Sequence, residues 1–235
     1  MKWLIRRRKP QHSSWKRGVN IQDIFQTFER VPDAGATYTL ELCIALPVKN
    51  DPGASMNFSG WGLMAGHCFL ILRKQNGPVA HSRSFGFYPA RRLSFWKPLR
   101  PYPSCIRDNR LHRAHARTRM TISPQDFETV REAAFSASMS SYRLLDYNCA
   151  DFALAVFNSV RAEPVVPPPY GVQCFGIPLG YNRLPSRKQM MIPQTPHGLY
   201  EVLGAADRLP NGVASGPEVT DRQHVSVRQN GLVAS

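Results

Sequence analysis

The sequence predicts an α+β domain in which an antiparallel sheet packs against a few amphipathic helices, one of them opening on a cysteine. Three observations carry this expectation. Between Thr37 and Leu46 the residues Tyr38, Leu40, Leu42, Ile44 and Leu46 alternate onto one face, the period of two that marks a half-buried strand. From Met64 to Leu72 the chain is apolar on both faces, and Asn76-Gly77 then precedes a returning run from Val79 to Phe87, which reads as a central hairpin. Further on, Phe127, Val130, Ala134 and Phe135, and then Phe152, Ala153, Val156, Phe157 and Val160, fall at helical spacing.

Each element has its own boundary signals. Asn20 can cap a short helix whose stripe is Ile21, Ile24, Phe25 and Phe28, with Pro32 closing it. Residues 47–60 are rich in Gly, Pro, Asn and Ser and read as a loop. Residues 89–112, rich in Pro and Arg, read as a second long loop, followed by a short strand over 117–122. Ser123-Pro124-Gln125-Asp126 starts a helix, with an N-cap Ser, Pro at the first position and an acid three residues on. A second helix begins near Cys149 and ends before the Pro-rich stretch 164–169. Thr195-Pro196 opens a last short helix through Leu203. The chain thus divides into a basic arm and short helix over 1–35, a domain over 36–203, and a loose polar tail over 204–235.

The net charge of +14 is concentrated. Residues 1–18 carry seven Lys/Arg and no acid, and residues 91–119 carry nine against a single Asp. The remainder is close to neutral. Such patches suit an anionic surface, whether phosphate, lipid or an acidic partner. The five cysteines (43, 68, 105, 149 and 174) form no C-x-x-C pair, so neither a zinc site nor any other metal or cofactor is expected. The apolar run Trp3–Ile5 is too short for a secretory leader, which needs roughly 7–15 apolar residues. No stretch approaches the 18 or so of a membrane helix. The expectation is a monomer that the general secretory route does not export.

The chemistry centres on Tyr147-Asn148-Cys149-Ala150-Asp151-Phe152. Asn148 as N-cap puts Cys149 in the first helical turn, where unpaired N–H groups and the positive helix end favour a thiolate. Those same donors can hold the oxyanion of acyl transfer. Ala65-Gly66-His67-Cys68-Phe69 supplies a base: His67 occupies a strand position where Val or Ile is usual, and Cys68 points to the opposite face. A strand His with a helix-start Cys is the minimal pair for an activated thiol. Taken singly, each also reads as an ordinary core residue.

The order Gly66-His67-Cys68-Phe69, Phe85-Gly86-Phe87-Tyr88-Pro89, Asn148-Cys149-Ala150-Asp151-Phe152-Ala153 and Thr195-Pro196-His197-Gly198-Leu199-Tyr200 resembles the circularly permuted NlpC/P60-like branch of papain-fold hydrolases. It is most similar to bacterial antibacterial effectors of type VI secretion. The resemblance spans about 36–203 and implies a papain-like α+β fold with Cys149 as nucleophile and His67 as base. It also implies cleavage of amide bonds in peptidoglycan stem peptides, release by a dedicated secretion machine into a target cell's periplasm, and an immunity protein in the producer. Related lecithin retinol acyltransferase-like enzymes use a second His across the hairpin, which makes His81 the candidate third member. A tight turn at Asn76-Gly77 would instead set His67 opposite Gly86, with Ser84 and Ser82 on its face and His81 roughly 16 Å along the strand. A loop centred near Lys74 would bring His81 opposite His67. His112 and His115 read as surface residues of the basic loop, and His197 as part of a helix start. The alternatives are a lipid or protein acyl hydrolase or acyltransferase using the same pair, and a non-catalytic basic module binding nucleic acid or a protein.

Overall fold

The structure is a computed structural model that describes residues 18–46, 57–59, 62–64, 66–91, 93, 100–168, 170–173, 189–192, 194–203 and 208–214. Helix α1 (Ile21–Gln26) leads through a 3-10 turn (Thr27–Arg30) into strand β1 (Thr37–Ala45). Two short strands, β2 (Asn57–Ser59) and β3 (Gly62–Met64), pair with each other, and the long hairpin β4 (His67–Asn76) and β5 (Val79–Pro89) follows. Then come β6 (Ser104–Asp108), β7 (Arg113–Ile122), α2 (Pro124–Ser138) and α3 (Cys149–Asn158). The chain continues through the paired β8 (Tyr170–Gln173) and β9 (Gln189–Ile192), α4 (Pro196–Val202) and β10 (Arg208–Ala214).

Six strands form one antiparallel sheet in the order β10-β7-β1-β4-β5-β6. Residues 67–72 of β4 are buried without a break because both faces of this central strand are covered. One face carries Leu40, Leu42, Cys68, Leu70, Phe85 and Phe87, packed against the helices. Cys43, Phe69 and Ile71 belong to a smaller cluster on the other. On the helix side Phe87 stacks on Phe152 of α3 at 5.3 Å with 10° between the rings.

Capping follows from local chemistry. Ser123 Oγ accepts from Asp126 N while Asp126 Oδ2 accepts from Ser123 N, so two N–H groups left over at the start of α2 are satisfied reciprocally. At the start of α1, Asn20 Oδ1 accepts from Gln22 N.

Several expectations need correcting. The stretch 89–112 is not all loop, because β6 runs within it and pairs with β5; its Ser-Cys-Ile-Arg-Asp sequence carries only one strongly apolar inward residue, Ile106. Phe135 is exposed and Ala137 buried, so the inward stripe on α2 runs Phe127, Val130, Ala134 and Ala137 and leaves Phe135 outside. The short helix expected near Asn20 packs into the main core through Ile21, Ile24, Phe25 and Phe28. Residues 208–214 form an edge strand on β7 rather than loose tail. The arm over 1–17 lies outside the described residues, as does the expected loop 47–60 apart from Asn57–Ser59, which form β2 rather than loop.

Candidate active site at the start of helix α3

Cys149 is the first residue of α3, and the sequence around it fixes that position twice over. Asn148 Oδ1 accepts from Ala150 N at 2.7 Å, and Asp151 Oδ2 accepts from Asn148 N at 2.8 Å. Asn148 Nδ2 donates to Gln194 O at 2.9 Å and to Leu144 O. The cap thereby ties the cysteine's helix to the segment that opens α4, where Thr195 Oγ1 accepts from Gly198 N.

The Cys149 sulfur faces the backbone N–H of Cys68 together with its own N–H and that of Ala150. The buried Tyr142 hydroxyl is directed at the same sulfur, its ring stacked on Phe87. These donors favour an anion. They do not win in the resting arrangement: Cys149 is 5% exposed, and burial, with the Asp151 carboxylate nearby, pushes its thiol up to about 11. The expectation of a standing thiolate is therefore corrected, because loss of water around the sulfur outweighs the helix start. Asp151 is itself raised to about 6 by burial.

His67 begins β4, straight after Gly66 with its φ of 74°. Strand alternation sends Cys68 toward α3 and His67 toward the opposite face. There its ring lies parallel to Phe69 and 4.2 Å from the ring of Tyr88. Its Nε2 is buried and has no hydrogen-bond partner among the described residues. Burial, reinforced by His112 and Arg107, holds the imidazole well below its usual range, so it is neutral at pH 7. Thiol and imidazole thus lie on the two faces of one strand, with the sulfur beside the backbone N–H of Cys68.

The hairpin register decides the third member. Asn76 pairs with Val79 around a Gly77-Pro78 turn, and Asn76 Nδ2 donates to Pro32 O and Ala34 O. This anchoring keeps Asn76 in the strand and moves the register two residues from the tight-turn expectation. His81 lies opposite Lys74, seven residues from His67, or roughly 23 Å at strand rise. Its ring packs edge-on against Phe28. Ser82 and Ser84 lie opposite Arg73 and Ile71. None of the three is brought to His67.

The residues that do surround His67 are Tyr88 of β5 together with Asn109 and His112 from the stretch expected to be loop. Asn109 is fully buried and donates from Nδ2 to Tyr88 Oη at 2.5 Å, and Tyr88 Oη is 3.2 Å from His112 Nε2. The His112 ring is 5.4 Å from that of His67. A Cβ on Gly86 would come 2.6 Å from His67 Nε2 and 2.7 Å from Asn109 Oδ1, so glycine is what lets these groups converge. His112 is half-buried and His115 is buried, so neither is the exposed residue expected. His115 is buried and its Nδ1 accepts from Leu46 N at 3.0 Å. His197 serves its helix, pairing with Glu201 at 3.0 Å. The sequence signal that could have flagged the cluster is the Gly86-Phe-Tyr88 pattern.

Among the described residues no group of three or more His, Cys, Asp or Glu is placed to hold a metal ion, and no helix is long and apolar enough to cross a membrane. No protein-family model, curated protein or solved structure matches the chain.

Proposed function

We propose that this chain is a thiol hydrolase of papain-like fold, with Cys149 as nucleophile and His67 as base. One observation carries the reading. Cys149 opens a doubly capped helix with its sulfur beside its own backbone N–H and that of Cys68, donors that can hold an acyl oxyanion. The orphaned Nε2 of His67 supports the second role, since a buried imidazole that merely filled space would find a partner for it.

The two groups start neutral, so the chemistry is general-base catalysis rather than a standing ion pair. The imidazole and the sulfur rest on opposite faces of β4, so the backbone at the start of β4, next to Gly66, must shift before Nε2 meets the thiol. As the sulfur attacks the carbonyl carbon, the thiol proton passes to Nε2. The tetrahedral oxygen is held by the N–H groups, the amine leaves with that proton, and water releases the acyl group from Cys149. Peptidoglycan stem peptides are the substrate that the resemblance to permuted NlpC/P60 enzymes favours. Machine-borne delivery to a target periplasm and an immunity partner belong to the same proposal.

The test is digestion of purified peptidoglycan followed by mass analysis. New stem-peptide fragments are expected from the native chain and none from Cys149→Ala. Intact sacculi after prolonged digestion by the native chain would remove the substrate. Fragments that persist with Cys149→Ala would remove the nucleophile.

A further inference from the structure

A groove far from Cys149 lies between the α1 segment and α2, with a cavity of about 680 Å³. It reaches the Lys74 end of β4, whereas the cysteine sits against Cys68, six residues away or roughly 20 Å along the strand. Its floor is aromatic. The Phe127 ring packs edge-on against Phe25 at 5.8 Å and Phe28 at 5.5 Å. Phe135, 44% exposed, stands at its lip.

The rim is acidic on a chain that is otherwise strongly basic. Asp23, Glu29, Asp33, Glu128 and Glu132 line the groove, five of the chain's sixteen carboxylates, against Lys74 and Arg131. Both cations are engaged: Lys74 Nζ pairs with Asp33 at 2.5 Å and donates to Phe28 O, and Arg131 pairs with Glu128. Asp23, Glu29 and Glu132 form no ion pair among the described residues. The groove therefore keeps three uncompensated negative charges while the whole chain carries +14. A folded protein gains nothing by gathering three exposed carboxylates around an exposed phenyl ring, since like charges repel and apolar surface is left in water.

We infer that this groove docks a cationic, apolar-faced helical segment of a partner protein. The apolar face would seat on the phenyl floor, in the manner of a helix laid in a groove. The segment's Lys or Arg side chains would reach Asp23, Glu29 and Glu132. The basic stretch over 91–119 repels such a segment, whereas the acidic groove attracts it. The inference is independent of any activity at Cys149.

The experiment uses the full chain and fluorescent 14-residue peptides of Leu and Lys, with a Leu and Glu peptide of equal length as control. The cationic peptide is expected to bind, and the acidic one to bind at least tenfold more weakly at the groove. Glu29→Gln with Glu132→Gln should weaken the cationic peptide by about tenfold, and raising salt from about 50 to 500 mM should act in the same direction. Phe135→Ala should also weaken it, while Cys149→Ala should leave it unchanged. Both groove variants alter exposed side chains, and an unchanged melting temperature would show them folded. Equal binding of the two peptides, or cationic binding that the Glu29/Glu132 variant leaves intact, would overturn the inference. So would a dimer in sedimentation that the same variant dissociates, because a second copy would then be the occupant.

Discussion

The behaviour of Cys149 shows how one side chain is governed by two opposing environments. Helix-start N–H groups draw its proton off, and burial returns it with interest, leaving the thiol near 11. Iodoacetamide labelling of Cys149 should therefore climb about tenfold for each pH unit between 7 and 10. A plateau beginning near pH 7 would indicate a thiolate–imidazolium pair instead. The part-exposed Cys105 should label ahead of Cys149 at neutral pH. Gly86 makes a sharper point at the same scale. Its missing Cβ leaves the space in which His67 Nε2 approaches Asn109 Oδ1. Gly86→Ala should cost about 1–3 kcal/mol of stability, because the added methyl meets atoms that are themselves packed. Chemical denaturation measures this, and hydrolysis by the variant should fall with it.

Among the elements, α3 is the one whose start serves both stability and chemistry. Asn148 caps it, accepts from Ala150 N and donates to two carbonyls beyond the helix. Asn148→Ala should lose about 1–2 kcal/mol, at the upper end for a cap because buried carbonyls also lose their donor. Asn148→Asp keeps the acceptor but not the donor, and its melting curve should fall between the two. The hairpin shows the same dependence of geometry on a side chain. Asn76, which the sequence marks as a turn residue, holds the carbonyls of Pro32 and Ala34 and stays in β4. That bond, more than the turn type, places Tyr88 rather than Ser84 beside His67.

At the level of the whole molecule, proton linkage gives a pH profile with a definite sign. His67, His81 and His112 all have imidazoles held below their usual range, in each case first by burial. The unfolded chain takes up these protons near pH 6.5 while the folded chain does not, so stability falls as pH drops below that value. Asp151, raised to about 6, works the other way between pH 3.8 and 6, where the folded chain holds the extra proton. The melting temperature should rise from pH 5.5 to 7.5, and His67→Ala should flatten the rise. A profile that falls over this range would mean that the histidines are solvated. Under the proposed mechanism, His67→Ala and Cys149→Ala should each abolish hydrolysis, and the double variant should be scarcely worse than either, since nucleophile and base act as one unit.

What could be read from the sequence was whatever depends on neighbours in the chain. Period-two alternation marked β1, the apolar run marked β4 as central, and Ser123 and Asn148 marked the starts of α2 and α3, because pleat, period and capping are set within a few residues. The α+β class and the position of Cys149 at a helix start followed from those signals. Only the tertiary structure decided the rest. The register that strands His81 opposite Lys74 comes from Asn76 bonding to a segment more than forty residues earlier. The Tyr88–Asn109–His112 group around His67 joins β5 to the turn after β6, and β6, whose short polar sequence becomes a strand only by pairing with β5, puts that turn there. The titration of Cys149 likewise turns on how much water the folded chain excludes, a property of the packed whole that no local pattern carries.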